Sequence, residues 1–122
     1  MLNASDCDWL HVDVMDGKYV KKKVNSFKEV KTIASLTQKR LDVHFMVEDI
    51  KGNIDRYIPL APSIITFHYE ACKDDEEVIK YINYIKENGI KPAISIKPAT
   101  SIEKIKKFLP MLHMVLIMTV EP

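Results

Sequence analysis

The stretch Trp9-Leu10-His11-Val12-Asp13-Val14-Met15 decides the fold prediction. Its branched and aromatic residues favour a β-strand, and His11, Asp13 and Met15 fall at every second position, so they share one face. A strand this apolar is typical of a parallel sheet that is covered on both faces. Charged groups in such a strand are costly unless they are paired, hydrogen-bonded or bound to a metal ion. The stretch therefore predicts a buried parallel strand whose polar side chains have partners.

Similar apolar runs predict four more strands: Leu41–Val47, Ile64–Tyr69, Lys91–Ile96 and Met114–Val120. The starts of the five strands are about 23 to 32 residues apart, which accommodates a strand, a helix and two loops. Apolar residues at helical spacing lie between them. Two such helical faces consist of Phe27, Val30, Ile33 and Ala34, and of Val78, Ile79, Ile82 and Ile85. A short helix is also expected within residues 52–59.

Capping residues indicate where the later helices begin and end. Asp74 or Asp75 is expected to cap the third helix. Thr100 with Glu103 forms a capping-box pattern for a last helix, and Pro110 is expected just past the end of that helix.

Strands that alternate with helices predict a parallel sheet with right-handed crossovers, either an open doubly wound sheet or a (β/α) barrel. The chain has only three glycines, Gly17, Gly52 and Gly89, and no glycine-rich phosphate loop follows any predicted strand. This weakens the nucleotide-binding open sheet. We expect one domain over residues 1–122, with about five parallel strands and intervening helices.

Composition excludes several classes of protein. With 122 residues, 47% of them hydrophobic, the chain suits one packed domain rather than a disordered segment. Its net charge of +1 gives no reason to expect a nucleic-acid partner, and Lys21–Lys23 is interpreted as a solvated loop or helix start. No apolar run is long enough for a membrane span, and no signal peptide is evident. Two isolated cysteines, Cys7 and Cys72, favour a reduced, cytoplasmic protein.

Polar residues on adjacent predicted strands suggest a metal site. His11, Asp13 and His44 together offer two imidazoles and one carboxylate, a set that suits Zn²⁺, Fe²⁺, Mn²⁺ or Co²⁺. The alternative is that each histidine is a hydrogen-bonded core residue. Likewise, His68 and Glu70 are either a structural hydrogen-bonded pair or part of a site. Three methionines have an equally plain interpretation as core residues: Met15, Met46 and Met118.

Two longer motifs carry a family resemblance. The stretch Asp8-Trp9-Leu10-His11-Val12-Asp13-Val14-Met15-Asp16-Gly17 resembles the signature of the ribulose-phosphate 3-epimerase family. Leu41-Asp42-Val43-His44-Phe45-Met46-Val47 resembles its second signature, which usually has Leu in place of Phe45. Shorter matches fall in the family's order and spacing at Arg56–Ile58, Ile65–Glu70, Pro98–Thr100 and Met118–Val120. The resemblance covers essentially the whole chain.

The resemblance implies a (β/α)₈ TIM barrel that interconverts D-ribulose 5-phosphate and D-xylulose 5-phosphate in the pentose phosphate pathway. It implies a divalent metal ion held by His11, Asp13, His44 and a second Asp from a seventh strand. Asp13 would also be one of two acid/base carboxylates. The remaining implied substrate-site residues are His44, Met15, Met46, Met118 and, with a less defined role, His68. The family also tends to be homo-oligomeric.

The chain departs from the family pattern in length and at single positions. The family barrel has eight strands, whereas the five predicted here correspond to the second through sixth. We therefore expect a truncated chain that is inactive alone, because the second Asp and the phosphate-binding loops are outside it. Lys18, Lys97 and Glu121 differ from the usual family residues and are expected to affect substrate fit.

Two alternatives remain at this stage. One is a related barrel enzyme that epimerises a hexulose 6-phosphate with the same metal and carboxylates. The other is a non-catalytic half-barrel that associates with a partner or with itself.

Overall fold

The computed structural model describes residues 9–16, 23–24, 27–36 and 40–118. Its sheet has six strands: β1 (Trp9–Asp16), β2 (Lys23–Val24), β3 (Arg40–Met46), β4 (Ile64–His68), β5 (Lys91–Ile96) and β6 (Met114–Ile117). Their order across the sheet is β2-β1-β3-β4-β5-β6. All neighbours pair in parallel except β1 and β2, which are antiparallel. Five parallel strands with helices between them form a partial α/β TIM-barrel fold, as the alternating pattern predicts.

Three α-helices connect the strands: α1 (Phe27–Leu36), α2 (Ile50–Tyr57) and α3 (Asp75–Glu87). Asp49 caps α2, where its side chain accepts a hydrogen bond from the backbone N–H of Gly52. Asp74 caps α3 in the same way, and its carboxylate accepts from the N–H of Glu77 at 2.9 Å. Gly89 follows α3 with a φ of 74°, a left-handed conformation that glycine adopts without steric cost.

The two faces of the sheet have different compositions. One face contributes alternate residues of the strands to an apolar core shared with α2 and α3, including Val43, Phe45, Ile65, Phe67 and Ile94. Because successive side chains point to opposite faces, the other face receives the residues between them. That other face therefore carries His44 on β3, His68 on β4 and Ser95 on β5, all of them buried.

The prediction of an α-helix as the last helix is wrong. Residues 102–104 and 106–111 form two 3-10 segments rather than an α-helix, and Pro110 lies inside the second one. Proline has no N–H to donate within a helix, which accounts for the shorter, irregular turns. The cap is Ser101, whose hydroxyl accepts from the N–H of Glu103. The hydroxyl of Thr100 donates to Glu70 instead.

Smaller differences concern single residues. Lys23 lies in β2, which the sequence did not predict, whereas Lys18, Lys21 and Lys22 are outside the described residues. β4 ends at His68, and Tyr69 begins a 3-10 turn. β6 ends at Ile117, so that only part of the predicted strand Met114–Val120 is described.

Cys72 is a free thiol, and burial raises its pKa to about 12. Across the described part of the chain, every helix is too short or too polar to cross a membrane.

Two of the three isoleucines of α3 that the sequence placed on one face differ in burial. Ile82 is fully buried, whereas Ile79 is 38% exposed. We expect Ile82→Ala to lower the free energy of unfolding by about 2–5 kcal/mol, because it removes buried methylene groups and leaves a cavity. Ile79→Ala should change it by less than about 0.5 kcal/mol. Urea denaturation of both variants checks this, and equal losses would contradict the placement of α3.

Candidate metal centre

The pairing register of β1 with β3 brings the polar residues together. His11 lies opposite Asp42, and Asp13 lies opposite His44. A His-x-Asp stretch on one strand therefore faces an Asp-x-His stretch on the next, so each imidazole has a carboxylate on the neighbouring strand. His11 Nδ1 donates to Asp42 Oδ2 at 3.1 Å, and His44 Nδ1 lies 3.2 Å from Asp13 Oδ1.

Asp13 lies at the centre of this cluster. Its Oδ1 atom is 2.7 Å from His11 Nε2 and 3.2 Å from His44 Nδ1. One ligand atom from each of His11, Asp13 and His44 lies within 4.8 Å of the others. The side chains of His11 and Asp13 are 44% and 42% exposed, whereas that of His44 is only 2% exposed. The cluster is thus anchored in the core on the β3 side and open to solvent on the β1 side.

The two carboxylates of the cluster favour a positive charge at His11. Hydrogen bonds to Asp13 and then to Asp42 raise the pKa of His11 to about 10. The hydrogen bonds from His11 and His44 hold the pKa of Asp13 well below its usual range. Two carboxylates around the His11 imidazole therefore stabilise a positive charge at this position.

A buried polar row continues from His44 across the sheet. His44 Nε2 lies 3.0 Å from His68 Nε2 and 3.1 Å from Ser95 Oγ. Ser95 Oγ and His68 Nε2 are themselves 3.0 Å apart. The imidazoles of His44 and His68 are nearly parallel, with an angle of 15° between their planes and centroids 4.9 Å apart. Each of these three side chains has at most 2% of its surface exposed.

Glu70 is the last member of the row. It lies in the 3-10 turn after β4 and contacts the loop after β5. Its Oε1 atom accepts from His68 Nδ1 at 3.3 Å, and its Oε2 atom accepts from the backbone N–H of Lys97 at 2.9 Å and from the hydroxyl of Thr100. Burial by itself raises the pKa of Glu70. The hydrogen bonds from His68, Thr100 and the Lys97 N–H outweigh burial and lower the pKa to about 2. Burial lowers the pKa of His68, which favours a neutral imidazole there.

The structure brings some predicted site residues together and leaves others apart. Met15 and Met46 are register partners on β1 and β3, two residue pairs beyond Asp13 and His44 and on the same face of the sheet. Met118 is bonded through its N–H to the carbonyl of Ile96, on the far side of β4 and β5. Glu121, like Lys18, is outside the described residues.

Three polar residues that contact the site were not predicted as site residues. Asp42 had a sequence signal, because it alternates with His44 and shares its face. Ser95 and Thr100 had none, because a serine in an apolar strand and a threonine in a loop are common. Their positions depend on which strands become neighbours.

The donor set fits a divalent metal ion. Two imidazole nitrogens and one carboxylate oxygen are typical ligands of Zn²⁺, Fe²⁺, Mn²⁺ and Co²⁺. His11 would present Nε2 and His44 would present Nδ1, because these are the atoms that face Asp13. The other nitrogen of each ring contacts Asp42 or the buried pair His68 and Ser95, as is usual for metal-binding histidines.

The fold and the site define a class of protein. A sheet of five parallel strands with helices on one face is part of an α/β barrel, and barrel enzymes build their active sites from residues at the C-terminal ends of the strands. This chain thus has a partial α/β barrel fold with a candidate centre for a divalent metal ion.

Comparison with known proteins identifies the family. Residues 1–122 match the model described as the ribulose-phosphate 3 epimerase family, so the chain belongs to the ribulose-phosphate 3-epimerase family. The ribulose-phosphate 3-epimerase of Helicobacter pylori (strain J99) is 38% identical over 120 residues, which are 98% of this chain and 54% of that protein. That of Schizosaccharomyces pombe is 38% identical over 118 residues, 94% of this chain and 50% of that protein. That of Methanocaldococcus jannaschii is 36% identical over 115 residues, 94% of this chain and 47% of that protein. The chain spans about half the length of the curated relatives it matches.

The depressed pKa of Glu70 predicts a specific acid sensitivity. Its contacts favour the carboxylate, so they stabilise the fold fully above about pH 4.5 and lose this contribution as the pH falls towards 2. We expect the free energy of unfolding of the unsubstituted protein to fall over this range by more than that of Glu70→Gln. Denaturation at a series of pH values measures the difference, with the exposed Glu87→Gln as control. Parallel curves for Glu70→Gln and the unsubstituted protein would contradict it.

Proposed function

We propose that this chain forms the metal-binding half of an enzyme that interconverts D-ribulose 5-phosphate and D-xylulose 5-phosphate. The observation that carries the proposal is the cluster of His11, Asp13 and His44, in which three ligand atoms lie within 4.8 Å of one another. Membership of the family and relatives at 36–38% identity that are named ribulose-phosphate 3-epimerase support the substrate.

The chemistry required is the inversion of one carbon next to a carbonyl group. A proton leaves C3 from one face and returns from the other. A bound divalent cation supplies Lewis acidity, which polarises the C2 carbonyl and stabilises negative charge on its oxygen. Asp13 is the acid/base on one face, because its carboxylate lies between the two histidines and is half-exposed towards solvent. The resemblance assigns the opposite face to an Asp of a seventh strand.

The other named residues bind and orient the substrate. His11, Asp13 and His44 would hold the cation, and Asp42 would fix the ring of His11 by accepting its Nδ1 hydrogen. Met15 and Met46 lie beside the cluster in register and would exclude water from the reacting carbon. Met118 and His68 would be further residues that contact the substrate. Residues 1–122 would be one part of a single barrel domain.

Family membership also supports a proposal about the partners and the compartment. We infer a small sugar phosphate as the substrate, a homo-oligomeric enzyme and a cytoplasmic location. Light scattering on the purified protein measures the oligomeric state, and a monomer at micromolar concentration would contradict it.

The substrate is tested by assay of the protein expressed from its whole reading frame and loaded with Zn²⁺ or Mn²⁺. We expect conversion of D-ribulose 5-phosphate to D-xylulose 5-phosphate, and much slower turnover of a hexulose 6-phosphate. Faster turnover of the hexulose phosphate would favour the related six-carbon epimerase. No turnover of either substrate by a metal-loaded, folded protein would favour the non-catalytic half-barrel.

Asp13→Asn tests the acid/base role. The amide cannot accept the C3 proton, so we expect turnover to fall by about 10²- to 10⁴-fold. Incorporation of deuterium at C3 from D₂O should fall equally, because it reports proton removal without requiring inversion. Asp55→Asn is the matched control, since it alters an exposed ion pair with Lys51 on α2. Near-normal exchange in a metal-loaded Asp13→Asn protein would overturn the role.

A further inference from the structure

The row from His44 to Glu70 joins two imidazoles through their ring nitrogens, so its hydrogen bonds must have a direction. Glu70 is an ionised carboxylate and can only accept, because the Lys97 N–H and the Thr100 hydroxyl already donate to it and its pKa is lowered to about 2. Its contact with His68 therefore requires the proton of His68 to be on Nδ1. A neutral His68 then has a lone pair on Nε2, the atom that faces His44 and Ser95.

The direction of the row determines which nitrogen of His44 is available to a cation. His68 Nε2 accepts, so His44 can donate from its own Nε2. When a cation takes the place of the hydrogen bond to Asp13, Nδ1 of His44 then carries the lone pair. Nδ1 is the atom that faces Asp13. With the opposite tautomer of His68, Nε2–H would donate to His44. The lone pair of His44 would then lie on the buried Nε2, and a proton would occupy the nitrogen that a metal ion needs.

We propose that Glu70 is a positioning residue of the metal centre, which fixes the tautomer of His68 and through it holds Nδ1 of His44 as the ligand atom. This inference rests on the metal centre proposed above. Glu70 is itself held by the Lys97 N–H and the Thr100 hydroxyl, so the loop after β5 is linked to a ligand on β3. The row crosses β3, β4 and β5, and His44 is the member of the row that would hold the cation.

The test measures metal affinity rather than turnover. Zn²⁺ titration against a chromophoric chelator is carried out on the unsubstituted protein from its whole reading frame, on Glu70→Gln and on Glu87→Gln. Glu87 is an exposed carboxylate of α3 and serves as the matched control. We expect Glu70→Gln to weaken Zn²⁺ binding by about 10- to 100-fold, the usual effect of removing an outer partner of a ligand histidine. Glu87→Gln should leave it unchanged.

A second readout follows the tautomer itself. Long-range ¹H–¹⁵N NMR distinguishes the two neutral forms of His68. We expect the Nδ1–H form in the unsubstituted protein and a loss of this preference in Glu70→Gln, because the glutamine amide can donate to Nδ1. A merely structural glutamate would leave the tautomer unchanged.

Folding of the variant is checked by circular dichroism, and a milder variant covers the case in which Glu70→Gln does not fold. Thr100→Val keeps the carboxylate but removes one donor to it, so Zn²⁺ affinity should fall by about 2- to 10-fold, the equivalent of one ordinary hydrogen bond. Unchanged affinity in folded Glu70→Gln, or in Thr100→Val when the first variant does not fold, would overturn the inference and leave the metal centre intact. No Zn²⁺ binding by the unsubstituted protein would overturn both.

Discussion

The in-register parallel pairing of β1 with β3 is the constraint on which the site depends. It places His11 beside Asp42 and Asp13 beside His44, so that each of these two imidazoles has a carboxylate next to it on the neighbouring strand. A slip by one residue would turn these side chains to the helix-covered face and destroy the cluster. The apolar residues between them prevent that slip, because Val43 and Phe45 are fully buried in the core. The same strands thus specify the core and the site.

Burial explains why the cluster is rigid on one side and accessible on the other. His44 is enclosed by His68 and Ser95 on neighbouring strands, whereas His11 and Asp13 keep more than two-fifths of their side-chain surface in contact with solvent. A metal ligand held in the core keeps its orientation, and an exposed carboxylate can reach a reacting atom. In the proposed centre, β3 would thus supply a ligand fixed in the core, and β1 would supply His11 together with the accessible carboxylate of Asp13.

The carboxylates Asp42 and Glu70 have parallel roles at the two ends of the polar face. Asp42 contacts His11 directly, and Glu70 reaches His44 through His68. Both carboxylates accept a hydrogen bond from the Nδ1 atom of an imidazole. His11 lies on the strand next to Asp42, whereas His68 lies two residues before Glu70 on the same strand end. Glu70 also ties the end of β4 to the loop after β5, so the loop that follows the sheet is part of the same hydrogen-bonded system.

The sequence by itself determined the parallel strands, α3, and the set of His11, Asp13 and His44, because alternation and helical spacing are local properties of the chain. It left the cap of α3 open between Asp74 and Asp75, and it offered a hydrogen-bonded pair of His68 with Glu70 as one of two alternatives. It did not determine the 3-10 segments around Pro110, the short strand β2, or the partners Ser95 and Thr100. These depended on tertiary structure, because a hydroxyl's partner is chosen by which strands and loops become neighbours. Thr100 looked like a helix cap and became an anchor for Glu70 only when β4 and β5 paired.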